Sequence, residues 1–375
     1  MLTEHFHNTQ KDTGHYSNDL RYVLSLQNTI AAFEEIKTWE GYAKTPLHSL
    51  DSMASDIGVK NIYYKDESSR FGLGSFKALG GTYGVLKFIH HALKKEIGDE
   101  VSMKDIHAGK YSEQISKYTV TTATDGNHGR SVAFGAKLFG CKCQIYIHSE
   151  VSSGRQKAME DLEATVNRVS GNYDESLQIC IEDAGKNNWY VISDTSYEGY
   201  TKYPRYIMAG YNVMAEEIID QIKDRPLPTH VFLQGGVGSF PGAICGYFWE
   251  KFPGNNIKFV VVESEYAPCL IRSAQNNQMT SVNIKQETMM AGLSCGEPSL
   301  LGWEILKSGT DDFITINDSS IPGLMRLLAK NNLKIEAGES SVAGLAGLIE
   351  SMEDQKIAET MELDKESIVL LFGTE

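Results

Sequence analysis

No stretch of the sequence holds the roughly 18 consecutive apolar residues that a bilayer-spanning helix needs. The N-terminal Met1 to His7, MLTEHFH, lacks the basic region and apolar run of a secretory signal. The expected setting is therefore the cytoplasm, away from membranes. Cysteine is sparse, six in 375 residues, which does not make a dense disulfide framework. Cys141-Lys142-Cys143 has the spacing of neither a zinc knuckle nor a CxxC redox pair, so reduced thiols and no metal site are expected. Basic residues are in deficit: 35 Lys and Arg against 49 Asp and Glu give a formal net charge of -14. That balance argues against a nucleic-acid-binding surface. No Gly-Lys-Ser/Thr follows a glycine loop, so there is no P-loop. Gly72-Leu73-Gly74 has Lys77 where a dinucleotide fingerprint needs its third glycine, and the glycines after Gln234 are also out of register. ATP and nicotinamide chemistry are thereby disfavoured. Internal repeats of solenoid length and a linker rich in Pro, Gly or Ser are missing too.

What is present is a long alternation of strand-like and helix-like segments. Ile62 to Lys65 reads as a strand, and Val85, Phe88, Ile89 and Ala92 recur at helical spacing. A strand around Tyr118 to Thr122 breaks at Asp125-Gly126-Asn127 and is followed by a small-residue helix, Ser131 to Leu138. Strands at Cys143 to Ile147, Thr165 to Val169 and Trp189 to Ser193 alternate with helices at Lys157 to Leu162 and Glu175 to Gly185. That is the rhythm of a parallel sheet covered by helices. One helix is expected to carry Ile207, Tyr211, Met214, Ile218 and Ile222 on a single face and to end before Pro226 and Pro228. His230 to Gln234 is a strand, Phe240 to Phe252 a helix, and Ile257 to Glu263 a nearly continuous apolar strand of parallel-sheet character. Helices at Leu324 to Asn331 and Val342 to Met352 precede a closing strand, Ile368 to Phe372. The chain is α/β with two sheets. The expected division is 1–85 with 194–375 as a large domain and 86–193 as a small one carrying the Asp125–Asn127 loop.

Three polar, glycine-associated loops follow strand-like runs, where an open parallel sheet places its ligands. In Ser75-Phe76-Lys77 a lysine sits in a glycine-lined turn. Partial desolvation would favour its neutral, nucleophilic amine, which attacks aldehydes; a solvated lysine at a helix start is the plainer alternative. Thr124-Asp125-Gly126-Asn127-His128-Gly129 stands directly before a helix, whose first-turn N–H groups suit an anion such as a carboxylate. Asp125 reads equally as an ordinary helix cap, and His128 as a packed, hydrogen-bonded histidine. Gln234-Gly235-Gly236-Val237-Gly238-Ser239 offers four backbone N–H groups in a tight turn that can wrap a phosphate without a lysine, with Ser239 able to add a hydroxyl.

Taken together, KDESSRFGLGSFKALGG around Lys77, TDGNHGRSVA from Thr124 and QGGVGSFPGA from Gln234 resemble the tryptophan-synthase-β-like, fold-type-II pyridoxal-phosphate enzymes. These include threonine dehydratase, threonine synthase and cysteine synthase. Within that superfamily the likeness is greatest to the diaminopropionate ammonia-lyases, through RFGLGSFKALGG, TATDGNHGRSVA, ISDTSYEGY, MMAGLSCGEPS and EAGESSVAGLAGL. Threonine dehydratases usually carry Ser or Thr where this chain has Asp125.

The resemblance implies two open, mostly parallel twisted sheets with helices on both faces and an active site between the domains. It implies pyridoxal 5'-phosphate held as a Schiff base on Lys77, with Asn127 on its phenolic oxygen. Gly235, Gly236, Val237 and Gly238 would hold its phosphate, with Ser239 adjacent, and Thr374 would meet the pyridine nitrogen. Asp125 and Asp194 would face the substrate. The implied reaction is α,β-elimination of ammonia from 2,3-diaminopropionate, D and L, giving pyruvate and a second ammonia. Lys77 would be the base for the L isomer and Asp125 for the D isomer, while Asp194 would bind the β-ammonium. By itself Asp194 also reads as a strand-end turn residue. A homodimer is implied; the resemblance also makes Cys269 and Cys295 the pair to inspect for a disulfide near the site, although a reducing cytoplasm argues against a permanent bridge. A serine/threonine dehydratase, a cysteine-synthase-like β-replacement enzyme and a catalytically silent amino-acid-binding relative are the competing readings.

Overall fold

A computed structural model describes residues 2–12, 14–124, 126–171 and 173–375. Eleven strands are found among them: β1 (Leu2–His7), β2 (Leu47–Ser49), β3 (Asn61–Asp66), β4 (Thr119–Ala123), β5 (Lys142–Ile147), β6 (Thr165–Arg168), β7 (Tyr190–Val191), β8 (His230–Gln234), β9 (Lys258–Ser264), β10 (Asp312–Ile316) and β11 (Ile368–Gly373). The chain forms two compact units, Met1–Phe76 with Thr195–Gly199 and Tyr211–Glu375, and Lys77–Asp194 with Tyr200–Gly210. It passes from one to the other after Phe76, Asp194, Gly199 and Gly210.

The larger unit is built on a seven-stranded sheet in the order β1-β10-β9-β8-β11-β3-β2. Its five inner strands run parallel, and β1 and β2 close the edges antiparallel to β10 and β3. Every residue of β8, β10 and β11 is buried, which requires cover on both faces of the sheet and explains the continuous apolar run of β11 and the apolar centre of β8. One cover is the helix Ala343–Glu353, whose Leu345, Ala346 and Leu348 share a core with Phe232, Val260, Val262, Ile314 and Leu371. It lies so close that a Cβ at Gly347 would come within 2.8 Å of Val262 and 2.9 Å of Ile314. The small residues of VAGLAGL are therefore a packing requirement.

The smaller unit holds a four-stranded, wholly parallel sheet in the order β6-β5-β4-β7. Two helices, Lys77–Ile97 and Asn127–Phe139, pack against each other through small residues. A Cβ on Gly135 would stand 2.9 Å from the Cα of Thr82. This close approach lets Thr82 Oγ1 donate to Ser131 O at 2.9 Å and Ser131 Oγ donate to Lys77 O at 2.7 Å.

Two features differ from the expectations above. The single helix over Ile207 to Ile222 is two helices, Lys202–Tyr211 and Val213–Gln221. The joint is Asn212, whose Nδ2 donates to Thr29 Oγ1 at 3.0 Å, both residues buried. Because Asn212 keeps near-helical torsions (φ -68°, ψ -8°), the apolar period runs through the break unaltered. The N-terminal segment, to which no strand was assigned above, forms the edge strand β1, where His5 and His7 both reach Asp312 Oδ1, at 2.8 and 2.9 Å. Among the described residues no helix is long and apolar enough to cross a membrane.

Candidate active site

In the smaller unit Lys77 opens the helix Lys77–Ile97. A helix N-terminus carries partial positive charge and disfavours an ammonium there unless an anion stands by. Asp194 supplies that anion: Lys77 Nζ hydrogen-bonds its Oδ2. Burial opposes the charge on Asp194, but neighbouring His128 and Lys77 and the lysine's hydrogen bond outweigh it and hold the carboxyl well below the usual range. Asp194 is thus ionised at neutral pH. His128 lies on the helix Asn127–Phe139, buried, with Nε2 2.8 Å from Ile192 O and Nδ1 3.7 Å from Asp194 Oδ2. A carbonyl only accepts, so Nε2 bears the proton. Burial, only partly offset by Asp194, moves His128 below its ordinary value. The sequence singled out His128 without assigning it a partner; its neighbour, Asp194, lies 66 positions away.

The loop before that helix is capped by Thr124. Its Oγ1 accepts from Gly126 N at 3.0 Å and Gly129 N at 3.1 Å. A Cβ on Gly129 would collide with Thr124 and come 2.9 Å from Met159 Sδ, so only glycine fits. Asn127 is the first helical residue. Asp125 lies outside the described residues.

The larger unit carries the other sequence motifs at the carboxyl ends of neighbouring strands β8 and β11. Gln234 ends β8, Gly235–Gly238 turn, and the helix Ser239–Lys251 begins. Side chains are excluded from this turn. A Cβ on Gly235 would stand 2.9 Å from Val261 Cγ1, and one on Gly236 would stand 2.9 Å from Gly292 O. Gly238 has φ +99°, a left-handed torsion that glycine tolerates. Gly235 N donates to Val262 O at 2.8 Å and continues the sheet ladder. The amides of Gly236, Val237 and Gly238 donate to nothing among the described residues. Three open amides at a helix N-terminus, rather than four, are donors of the kind that suits an anion, with Ser239 as the first helical residue.

Thr374 follows β11 and is buried. Its Oγ1 accepts from Gln234 Nε2 at 3.2 Å and lies 3.4 Å from Ser341 Oγ. Its carbonyl accepts from Phe76 N at 3.1 Å, and the Phe76 ring packs on Tyr211 and Phe240 at centroid distances of 4.7 and 4.9 Å. The segment before Phe76 is fixed by a fully buried ion set that the motifs did not disclose. Glu217 accepts from Arg70 Nη1 and Nη2 at 2.8 Å each, from Lys65 Nζ at 2.7 Å and from Tyr42 Oη at 2.8 Å. Arg70 also pairs with Glu67 at 2.8 Å. Among the described residues no disulfide joins Cys269 and Cys295, and Cys269 Sγ lies 3.6 Å from Gly236 O.

These residues suit pyridoxal phosphate chemically: a lysine amine beside an ionised carboxylate, a side-chain-free cradle of amides, and a hydroxyl at a neighbouring strand end. Residues 38–373 match the family model for pyridoxal-phosphate dependent enzymes. The chain is 37% identical to the diaminopropionate ammonia-lyase of Escherichia coli (strain K12), over 89% of this chain and 85% of that protein. It is also 37% identical to that of Salmonella typhimurium, over 94% and 91%. A crystal structure of the Escherichia coli diaminopropionate ammonia lyase in complex with an aminoacrylate–PLP azomethine reaction intermediate superposes with a TM-score of 0.88 at 34% identity, covering 100% of this chain and 94% of that one. With its mixed and parallel sheets in the fold-type-II arrangement, this chain belongs to the pyridoxal-phosphate-dependent enzymes and, within them, to the diaminopropionate ammonia-lyases.

Proposed function

We infer that the chain is a pyridoxal-phosphate-dependent carbon–nitrogen lyase that eliminates ammonia from 2,3-diaminopropionate. The observation that carries this reading is the contact of Lys77 with the ionised Asp194 at the start of a helix. Bound pyridoxal phosphate supplies the electron sink that lets a Cα–H bond break. Lys77 would be the covalent attachment point for the cofactor and the base for the Cα proton of the L isomer. Asp125 takes it on the opposite face, for the D isomer, because one lysine cannot serve both mirror images of a fixed substrate. Asn127 would bond the phenolic oxygen, Gly236, Val237 and Gly238 would donate to the phosphate with Gly235 shaping the turn and Ser239 adjacent, and Thr374 would meet the ring nitrogen.

Asp194 chooses the leaving group. A carboxylate held ionised binds the substrate's β-ammonium and keeps it protonated, so that it departs as neutral ammonia. The hydroxyl of serine offers no cation to that carboxylate and is the poorer substrate. Hydrolysis of the released three-carbon product then gives pyruvate and a second ammonia. A homodimer in the cytoplasm completes the reading, supported by the family resemblance and the acidic, cysteine-poor composition.

The test is a product assay on the holoenzyme with each diaminopropionate enantiomer, L-serine and L-threonine. Pyruvate and ammonia from diaminopropionate, with little from serine, is the expected outcome. Faster turnover of serine or threonine would make the protein a dehydratase, and rapid exchange of the β-substituent for sulfide would make it a β-replacement enzyme.

A further inference from the structure

The strand that delivers Asp194 is too short to hold it. β7 has two residues, paired with Val120 and Thr121 of β4, and the last ladder bond is Ile192 N to Thr121 O at 2.9 Å. Asp194 lies two residues further on. Directly after it the chain leaves the unit for Thr195–Gly199 and returns at Tyr200. The strand β7 therefore ends before the carboxylate whose position matters.

Two side chains take over from the ladder. His128 Nε2 donates to Ile192 O, as described. The half-buried Tyr200 does more: its hydroxyl donates to Val191 O at 2.9 Å and accepts from Ser193 N at 3.0 Å. One phenol thus spends its proton and a lone pair on the two peptide groups that flank Ile192, and it does so from the point where the five-residue excursion closes. It acts as a substitute for the next strand, on the residue immediately before Asp194.

We propose that Tyr200 is a positioning residue that, through its hydroxyl, sets the Asp194 carboxylate against Lys77. This rests on the reading of Lys77 as the cofactor's attachment point. The Tyr200→Phe change keeps the ring and deletes both bonds. Asp194 then loses its fixed placement against the lysine nitrogen, and the proton on the cofactor–lysine linkage is held less tightly. Histidine 128 remains as the other brace on this segment, so the carboxylate is loosened rather than lost.

The experiment is a visible-absorbance pH titration of pyridoxal-phosphate-loaded wild type, Tyr200→Phe, Asp194→Asn and the double variant, with thermal unfolding to confirm that each is folded. Deleting an opposite charge beside the linkage is expected to lower its titration midpoint by about 1–3 units in Asp194→Asn. Tyr200→Phe is expected to lower it in the same direction by a smaller amount, and to add nothing in the Asp194→Asn background. A wild-type midpoint for Tyr200→Phe beside a shifted Asp194→Asn overturns the role of Tyr200 and leaves Lys77 and Asp194 standing. Additive shifts in the double variant also overturn it, because Tyr200 would then act independently of Asp194. A wild-type midpoint for Asp194→Asn removes the underlying reading and this inference with it. If Tyr200→Phe does not accumulate folded, 3-fluorotyrosine at position 200 keeps the ring while altering both hydrogen bonds; a shifted midpoint supports the proposal and an unshifted one overturns it.

Discussion

Gln234 Nε2, at the end of β8, donates to Thr374 Oγ1, just past the end of β11, across 3.2 Å. The amide nitrogen has no lone pair to accept with, and its orientation is fixed by Phe372 O at 2.8 Å. Ser341 commits its own proton to Glu375 O at 2.7 Å. Thr374 therefore keeps its proton to give away, and the acceptor found for it among the described residues is Ser341 Oγ at a long 3.4 Å. A donor of this kind suits the lone pair of an unprotonated ring nitrogen.

Replacing Thr374 by Asp tests that polarity. A carboxylate there would hold a ring nitrogen protonated. The expected outcome is a shifted visible absorbance of the holoenzyme and a loss of at least ~10-fold in kcat, about 1.4 kcal/mol of barrier. Unchanged absorbance and an unchanged product distribution would count against the assignment of Thr374.

The amide cradle makes a second prediction. In Gly236→Ala the new Cβ would stand 2.9 Å from Gly292 O and 3.3 Å from Cys295 Sγ, so the turn must shift. The three open amides would then be displaced. Equilibrium dialysis should show cofactor affinity falling by about 10-fold or more, roughly 1.4 kcal/mol, and chemical unfolding of the apoprotein should show a cost of about 1–3 kcal/mol for overpacking. Wild-type affinity would remove the turn from the phosphate site.

The buried ion set is a stability element. Arg70→Met leaves Glu217 and Glu67 buried with less compensation, and urea unfolding is expected to show a loss of about 3–5 kcal/mol. The same set gives a pH dependence. Burial pushes the Glu217 carboxyl up, but Arg70 and Lys65 more than reverse this, and the group titrates below its ordinary value. A depressed carboxylate contributes stability that is present above the unfolded-state value and lost as pH falls through the folded-state one. Wild type should therefore weaken below that value, and Glu217→Gln should flatten this part of the profile. An unaltered acid limb in Glu217→Gln would contradict the assignment.

Asp125→Asn separates the two proposed bases. Turnover of D-diaminopropionate should fall by the usual worth of a general base, on the order of 10²–10⁴-fold, with the L isomer changed far less. Equal losses for both isomers, measured as pyruvate release, would end the two-base account.

The parts of this molecule that were legible in the sequence are those whose signal is local. β8 was read at its observed bounds because five apolar-rich residues stop at a glycine turn. The helix after Asn127 and the strands β3, β5 and β9 followed from the same periodicities. Contacts between distant positions were not legible. Nothing around Tyr200 announces that its hydroxyl ties down Val191 and Ser193, because it reads as one tyrosine among many. Glu217 falls on the face shared by Met214 and Ile218, where a sequence reading sees an apolar stripe and assigns charge to solvent; only the arrival of Arg70 and Lys65 from 147 and 152 positions away makes its burial tolerable. β1 carries too few apolar residues to declare a strand, since an edge strand needs only a partner, here β10.

The account stands on Lys77 as the residue that carries the cofactor. Borohydride reduction of the native holoenzyme followed by peptide mapping tests it most directly. The pyridoxyl label is predicted on the peptide containing Phe76-Lys77-Ala78, stoichiometrically, and absent from Lys77→Ala. A label on another lysine, or none on Lys77 in cofactor-saturated protein, would contradict it.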